Sequence, residues 1–387
     1  MRTRKQDNGR KDVYIMRTMK VLIATDVIVA GGVDVYVSAL AEALMVAGHE
    51  PEFVVERTST SALLNDGAPC PVHRIRLHHR THEPKAIEED VSLLLTASSP
   101  GGVHVVCGVP WSCLALRRLV ANRSIPMLVT EQNVPEDWSL TASQRSQVEL
   151  SYRAARRVIF VCNGNRRRIE REVALGGVTV DVVPNAVPVK AITRRSLPAQ
   201  ERADRLRRRA DHGLLHVLTA ARLSPEKGVD DLIAAVAMLA PDAARLTVLG
   251  EGPLRSELER QAVELAVEAR FAGWSPDVIG ELRDADVFVL ASHHEGMPFA
   301  VLEAMASGVP VVATSTPGSA EALEHGRAGL LVAPGDRRAL ADGIGTIRAN
   351  PEAALHRAAA ALEVVARSHD LARAMKRTVA MWHDRHE

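Results

Sequence analysis

The sequence is poor in aromatic residues and carries almost no net charge. Of its 387 residues 3% are aromatic, and 48 Lys+Arg nearly cancel 47 Asp+Glu, which leaves a formal net charge of +1. Few aromatics disfavour a stacking platform for single-stranded nucleic acid. The neutral balance disfavours a general nucleic-acid binder, whose binding surface would be basic. With 47% hydrophobic residues the chain is too apolar to be disordered.

Cysteines and long apolar runs are also scarce. The chain has four cysteines and no C-x-x-C pair: Cys70, Cys107, Cys113 and Cys162. We therefore expect a reduced chain without a metal site. No stretch reaches the ~18–20 apolar residues of a membrane span, and the basic, polar residues 1–19 lack the apolar segment of a secretory signal. These absences predict a cytoplasmic protein.

What the sequence does contain is a regular alternation of apolar runs and helical patterns. At ~150 residues per domain, its length suggests two domains. Seven apolar runs typical of strands alternate with helical patterns in the first half, and six do so in the second. This alternation predicts an α/β protein with two doubly wound, Rossmann-like parallel sheets. Ligands bind beyond the carboxyl ends of such strands, so two facing domains would share one interdomain cleft.

The predicted boundaries follow from shifts in composition. They are a basic flexible tail (1–19), an N-terminal domain (20–190), a linker (191–213), a C-terminal domain (214–370) and a C-terminal helix (371–387) that packs back towards the N-terminal domain. The linker is rich in arginine from Arg202 to Arg209. Such a run is typical of a solvated helix face, and a membrane-surface or acceptor-binding patch is the alternative.

Two cations follow the first strand of the second half. Arg222 and Lys227 lie between a strand that ends at Ala220 and a helix that begins near Gly228. A guanidinium, an ammonium and the free N–H groups of a helix start together form an anion site. Ordinary loop cations are an equally weighted alternative.

The next loop carries a short glycine pattern. Gly250 and Gly252 flank a strand-to-helix turn, where glycine lets a ligand approach the backbone closely. The pattern lacks the third glycine of a dinucleotide-binding fingerprint, so a tight turn explains it as well.

The most specific pattern is a pair of carboxylates around a short helix. Glu295 precedes the helix, and Glu303 lies about two turns along it. Carboxylates at this spacing can bind different hydroxyl-bearing parts of one long ligand. The free amides around Phe299 and Ala300 can face an anion.

A D-x-D sequence, Asp284-Ala285-Asp286, superficially offers a metal site. It precedes its strand, whereas ligands gather after strand ends. We therefore expect a solvated helix end and turn there.

Four motifs in the second half of the chain together resemble those of a known protein family. They read R-L-x-x-x-K-G from Arg222, G-E-G-P-L-R from Gly250, E-G-x-P-x-x-x-x-E from Glu295 and G-V-P-V-V-A-T…P-G from Gly308. The set resembles the family-4 retaining glycosyltransferases of the GT-B fold, densely over residues 215–340 and more loosely before residue 159. The resemblance implies a metal-independent hexosyltransferase. Its donor would be a UDP- or GDP-sugar, its acceptor a small-molecule, glycan or lipid-linked hydroxyl, and it would need no further cofactor.

The resemblance also implies residue roles. Arg222 and Lys227 would hold the donor diphosphate, and Glu295 would contact the transferred sugar; these three form the predicted catalytic set. Glu303 would bind the ribose hydroxyls of the nucleotide. The other implied donor-binding residues are Gly31, Gly32, Gln132, Gly250, Gly252, Trp274, Gly296, Met297, Pro298, Phe299, Ala300 and Val301.

Gln132 departs from the family pattern, since it stands where T-E-H-N would place a histidine. Glutamine can donate and accept hydrogen bonds but cannot titrate, so this change could alter sugar choice or reduce activity. His293 and His294 are expected to be polar lining, with recruitment as ligand contacts in place of that histidine as the alternative. A sugar-nucleotide epimerase and a catalytically weak sugar-nucleotide-binding protein are the alternative functions.

The acceptor should be recognised by the N-terminal domain. The segments we expect to contact it are Gly31–Tyr36, the loop after Arg57, and Glu131–Ser139, which includes Trp138. A peripheral contact with the inner membrane through Arg166–Arg168 is a further expectation.

Overall fold

The computed structural model of the protein describes residues 18–26, 31–59, 68–78, 82–134, 140–239 and 243–383. Within these ranges the chain forms one seven-stranded and one six-stranded sheet with helices between the strands, which confirms the predicted pair of doubly wound domains. Several predictions fall outside the described residues. They concern most of the basic tail, the loop at 60–67, Trp138 and the last four residues.

The N-terminal sheet is parallel, with strand order β3-β2-β1-β4-β5-β6-β7. Its strands are β1 (Lys20–Thr25), β2 (Glu50–Glu56), β3 (Val72–Ile75), β4 (Gly102–Cys107), β5 (Met127–Glu131), β6 (Arg157–Phe160) and β7 (Thr179–Val182). Its helices are α1 (Gly32–Val46), α2 (Pro84–Ser98), α3 (Leu114–Asn122), α4 (Ala142–Arg153) and α5 (Asn163–Glu172). Leu22 and Ala24 of β1 pack in the core on one face, and Val21 and Ile23 pack on the other. Both faces are covered, so the strand reads as a continuous apolar run.

The C-terminal sheet is also parallel, with strand order β10-β9-β8-β11-β12-β13. Its strands are β8 (Leu215–Ala220), β9 (Ala244–Leu249), β10 (Ala269–Gly273), β11 (Val287–Leu290), β12 (Val311–Thr314) and β13 (Leu330–Val332). Its helices are α8 (Val229–Ala237), α9 (Arg255–Glu264), α10 (Val278–Asp284), α11 (Phe299–Ala306), α12 (Pro317–Ala322), α13 (Arg337–Ala349) and α14 (Pro351–Ser368). Both sheets reverse their strand order beside the first strand, β1 or β8, and this reversal is where doubly wound sheets bind ligands.

The segment between the domains is helical, and one of its arginines is buried inside the fold, while others such as Arg207 and Arg208 are exposed. It forms α6 (Val189–Arg195) and α7 (Ala199–His212). Arg202 is buried and donates to the carbonyl oxygens of Ala285 and Ser307 at 2.9 and 3.2 Å. Those carbonyls follow the ends of α10 and α11, where helical carbonyl groups lack partners. The prediction of a solvated face is therefore wrong for Arg202.

The second aspartate of the D-x-D sequence is also more buried than predicted, whereas Asp284 is exposed as expected. Asp286 is only 2% exposed. Its carboxylate accepts from the backbone N–H of His216 at 2.9 Å and lies 2.9 Å from the guanidinium of Arg205. The prediction of a solvated turn is wrong for Asp286, because α7 supplies the arginine that compensates its buried charge.

The last described helix, α15 (Leu371–Ala380), returns to the N-terminal domain. Met375 and Val379 share an apolar cluster with Val37 and Leu40 of α1. The chain therefore crosses between the domains twice, once before α6 and once before α15. No helix in the described ranges combines the length and apolarity that crossing a bilayer requires.

Candidate active site

The two domains touch where the carboxyl ends of β1 and β5 face the loop after β11. Gly32, after β1, lies under the ring of Phe299, such that a Cβ on Gly32 would be 2.5 Å from a ring carbon. Gln132, after β5, meets the backbone of Gly296. The fold thus brings predicted site residues of the N-terminal domain next to predicted site residues of the C-terminal domain.

Lys227 and Glu295 form an ion pair at this junction. The Nζ of Lys227 lies 2.7 Å from Oε1 of Glu295, and both side chains are largely buried, with 21% and 12% exposed. The hydroxyl of Ser292 donates to the same carboxylate oxygen at 2.8 Å. The pair places one ammonium and one carboxylate side by side, so a bound anion and a bound hydroxyl group would lie next to each other.

Arg222 is held differently. Its guanidinium pairs with Glu226 and bonds the hydroxyl of Ser224, and its side chain is 49% exposed. Burial acts to raise the pKa of the Glu226 carboxyl. Hydrogen bonds from Ser224 and Arg222 act against burial, and the pKa lies below its ordinary value. Arg222 is therefore in the same loop as Lys227 but shares no carboxylate with it.

At the start of α11 lie backbone N–H groups that no acceptor among the described residues bonds. Pro298 is the N-terminal cap residue of α11, and the N–H of Leu302 bonds the carbonyl of Pro298. The N–H groups of the first helical turn, Phe299 to Val301, precede that first helical bond. The side chains of Met297 and Val301 belong to the apolar core, so these two residues can offer a ligand only their backbone groups.

Glu303 lies one turn further along α11. Burial raises the pKa of its carboxyl to about 7 and is the sole cause of that shift. Among the described residues, no side chain or backbone group bonds this carboxylate. Glu303 is half-buried, and a carboxylate without a protein partner is suited to accept hydrogen bonds from ligand hydroxyl groups.

Gly250 and Gly252 are required by packing. A Cβ on Gly250 would lie 2.0 Å from the carbonyl oxygen of Ala221, and one on Gly252 would lie 2.3 Å from that of Leu223. Both glycines let the loop after β9 lie against the loop that carries Arg222. Trp274, after β10, is 58% exposed.

Gly31 caps the start of α1. Its N–H donates to Oδ2 of Asp34 at 3.2 Å, and Asp34 itself is buried. Tyr36 is buried as well, with its hydroxyl 3.4 Å from Oγ1 of Thr130. The acceptor segment predicted at Gly31–Tyr36 therefore exposes Gly31 and Val35 and buries Asp34 and Tyr36.

Three buried carboxamides surround Gly296 and Met297. Nδ2 of Asn185 donates to Oε1 of Gln132 and to the carbonyl of Met297, both at 2.9 Å. Nε2 of Gln132 and both terminal atoms of Asn165 are buried without a hydrogen-bond partner in the described structure. Sequence reasoning missed Asn165, because nothing local distinguishes it from other polar residues at a helix start.

Sequence reasoning also missed a buried ion pair below Gln132. Arg117 and Glu131 are both fully buried, and Nη2 of Arg117 lies 2.6 Å from Oε1 of Glu131. Tyr152 donates to the same oxygen at 2.8 Å, and Arg117 also reaches the Sγ of Cys107. Cys107 is thus a buried partner of Arg117. The ion pair between Arg117 and Glu131 holds the end of β5 against α3.

Comparison with known proteins identifies both halves of the chain. Residues 31–186 match the model of the glycosyl transferase 4-like domain, and residues 215–350 match that of glycosyl transferases group 1. A D-inositol 3-phosphate glycosyltransferase of Pseudarthrobacter chlorophenolicus is 28% identical over 335 residues, which cover 78% of each chain. The lipopolysaccharide core biosynthesis glycosyltransferase LpsE of Rhizobium meliloti is 38% identical over 136 residues, which cover 35% of this chain and 39% of that one.

Solved structures show the same fold. The sucrose-phosphate synthase of Thermosynechococcus elongatus superposes with a TM-score of 0.79 at 20% identity, covering 94% of this chain and 98% of that one. Anabaena HepE, crystallised with UDP, superposes with a TM-score of 0.77 at 19% identity, covering 94% and 100%. The two-domain fold is therefore GT-B. With both domains matched in order along the sequence, the chain belongs to the group 1 glycosyltransferases.

Proposed function

We propose that the protein is a retaining hexosyltransferase that moves a sugar from a nucleotide diphosphate-sugar to an acceptor hydroxyl without a metal ion. The observation that carries the proposal is the Lys227–Glu295 pair at the junction of the two domains. It is supported by the free amides at the start of α11 and by the unpartnered carboxylate of Glu303.

The proposed chemistry follows from where charge develops. When the sugar–phosphate bond breaks, the departing nucleotide gains negative charge and the sugar gains positive charge. The ammonium of Lys227 and the helix N–H groups would stabilise the first, and the carboxylate of Glu295 would stabilise the second. Removing one such preorganised group typically costs ~10²–10³ in rate. These groups supply the positive charge that a metal ion supplies elsewhere, which is why we propose metal independence.

For the donor, we propose a UDP-sugar, with a GDP-sugar as the alternative. Anabaena HepE is described with UDP, with UDP and glucose, and with UDP-glucose. In this chain the carboxylate of Glu303 would accept hydrogen bonds from the ribose hydroxyls, which both nucleotides share.

For the acceptor, we propose a glycoconjugate, polysaccharide or secondary metabolite bound by the N-terminal domain. The relatives that match include an inositol phosphate glycosyltransferase and lipopolysaccharide and colanic acid enzymes. A cytoplasmic location with a peripheral membrane contact through Arg166–Arg168 belongs to the same proposal. Binding to anionic vesicles that weakens with added salt would support that contact.

A panel of radiolabelled UDP- and GDP-sugars, offered with acceptors of these classes, tests the function. We expect nucleotide release coupled to a glycoside that keeps the donor's anomeric configuration, which NMR of the product can establish. Interconversion of the sugar nucleotide without transfer would instead show an epimerase. Nucleotide binding without turnover on any acceptor would favour the weak sugar-nucleotide-binding protein.

A further inference from the structure

The Lys227–Glu295 pair joins two loops that are distant in sequence. Lys227 lies in a short 3-10 helix after β8, and Glu295 lies in the loop after β11. The position of the pair therefore depends on what holds these two loops together.

His293 bonds to both sides of the first loop. Its backbone N–H donates to the carbonyl of Glu226 at 2.8 Å. Its ring Nε2 lies 2.9 Å from Oδ2 of Asp231, which is in the first turn of α8. One residue, two places before Glu295, thus binds the residue before Lys227 and the helix that follows it.

Asp231 is in turn held from a third element. It is 5% exposed, and its other oxygen, Oδ1, accepts from Nε of Arg337 at 2.6 Å. Burial acts to raise the pKa of Asp231, but hydrogen bonds from His293 and Arg337 hold this pKa below its ordinary value. The carboxylate is therefore ionised at neutral pH. Hydrogen bonds to an ionised acceptor are stronger and more directional than neutral ones.

The two loops meet without space between them. Gly228 has a φ of +57°, and a Cβ there would lie 2.3 Å from the carbonyl oxygen of Ala291 and 3.2 Å from Nε2 of His293. The His293 ring therefore lies directly against the turn that follows Lys227.

We infer that His293 is a positioning residue that holds the Glu295 loop against the Lys227 loop through Asp231, with Arg337 fixing Asp231. The inference rests on the proposed function, in which Lys227 and Glu295 contact the donor. The ring's Nε2 is committed to Asp231, so His293 acts on the reaction through the loop positions. Small displacements of groups that hold a substrate cost rate steeply, with about 10²-fold for a 1 Å shift.

The test compares His293→Ala with His293→Gln. The glutamine side chain keeps an N–H donor that can reach Asp231, and alanine does not. We expect kcat to fall by about 10- to 100-fold in His293→Ala, at an unchanged melting temperature, and to recover in His293→Gln. Arg337→Ala should lower kcat less, and Arg338→Ala is its control, since Arg338 is 77% exposed and pairs with Asp342 in its own helix. Wild-type kcat in His293→Ala, or equal losses in the alanine and glutamine variants, would overturn the inference.

A second measurement separates this inference from the proposed function. Hydrogen exchange at the amides of residues 226–231 reports how firmly the first loop is held, whatever the protein catalyses. We expect faster exchange in His293→Ala and wild-type exchange in His293→Gln. If the wild type neither binds UDP or GDP nor transfers sugar, the proposed function fails, and this exchange pattern alone decides the positioning role. Identical exchange in all three proteins would contradict it.

Discussion

The backbone of Gly296 lies so close to the carbonyl oxygen of Gln132 that a Cβ on Gly296 would be 1.7 Å from that oxygen. On the other side, a Cβ on Gly318 would be 1.6 Å from the carbonyl oxygen of Gly296. The residue that follows Glu295 is therefore enclosed between the N-terminal domain and α12. Contact between the two domains at this point depends on the absence of a side chain.

Gly296→Ala should accordingly abolish sugar transfer. The added methyl group cannot coexist with the Gln132 carbonyl, so either the domains separate or the Glu295 loop moves. Steady-state turnover, together with the melting temperature, checks this. Gly345→Ala in α13 is the control, because a Cβ there meets no atom within 4 Å. Glycine to alanine inside a helix stabilises by roughly 0.5–1 kcal/mol. A Gly296→Ala enzyme with wild-type kcat would show that the closed contact is not needed.

Lys227→Ala and Glu295→Ala should each abolish turnover in a folded protein. The first removes the ammonium that we propose faces the donor diphosphate. Each variant also leaves the other partner of the 2.7 Å pair unpaired. We expect losses of at least ~10²–10³ in kcat, the usual cost of one electrostatic group in a transition state. Lys85→Ala is the matched control, since Lys85 is an exposed lysine in the first turn of α2. Near-normal rates in either site variant would mean that the site lies elsewhere.

Glu303→Gln should make the protein more stable at pH 8 and leave its stability unchanged at pH 4. Burial raises the pKa of Glu303 to about 7, whereas an unfolded chain titrates near its ordinary pKa of about 4.3. Between these values the unfolded state loses its proton first, so the free energy of unfolding of the wild type falls as pH rises. Glutamine does not titrate. Urea unfolding of both proteins at the two pH values measures the difference, and equal stabilities at pH 8 would contradict the raised pKa.

The same carboxylate should give nucleotide binding a pH dependence. Ribose hydroxyls donate to the ionised form, so UDP should bind the wild type more tightly at pH 8 than at pH 6. Titration of the UDP phosphates affects wild type and Glu303→Gln alike, and the difference between their calorimetric affinities isolates Glu303. Parallel pH profiles would remove Glu303 from the ribose site.

Arg117→Met should destabilise the N-terminal domain strongly. It leaves Glu131 as a buried, uncompensated charge, which typically costs about 3–5 kcal/mol. Arg118→Met is the matched control, because the neighbouring Arg118 pairs with Glu88 on the surface. Exposed pairs contribute about 0–1 kcal/mol. The double variant Arg117→Met/Glu131→Leu should regain most of the loss, as measured by denaturant unfolding. A double variant as unstable as the single one would show that another contact of Arg117 dominates.

Local patterns predicted most of the fold. The alternating apolar runs placed the strands within a few residues of their observed bounds, because a parallel strand covered on both faces must be apolar along its length. They also placed Lys227 and Glu295 after strands β8 and β11, and parallel strands that share a sheet end at one edge. The place of the candidate site was therefore readable from residue types at strand ends, whereas its chemistry stays a prediction.

The partners of buried polar groups were not readable in this way. Arg202 and Asp286 have the same local signature as surface charges, and Asn165 that of any residue at a helix start. Their environments are created by residues 70 or more positions away, such as the carbonyls that Arg202 binds across 83 and 105 residues.

The sequence by itself determined two doubly wound domains and which loops follow the strands of the candidate site, since both depend on short-range periodicity and on the position of a loop after its strand. Only the tertiary structure decided that Lys227 pairs with Glu295 across 68 residues and that His293 connects their loops through Asp231. The physical reason is that a charge is solvated, paired or bound to a carbonyl according to what the folded chain brings next to it. Local sequence does not encode that neighbour.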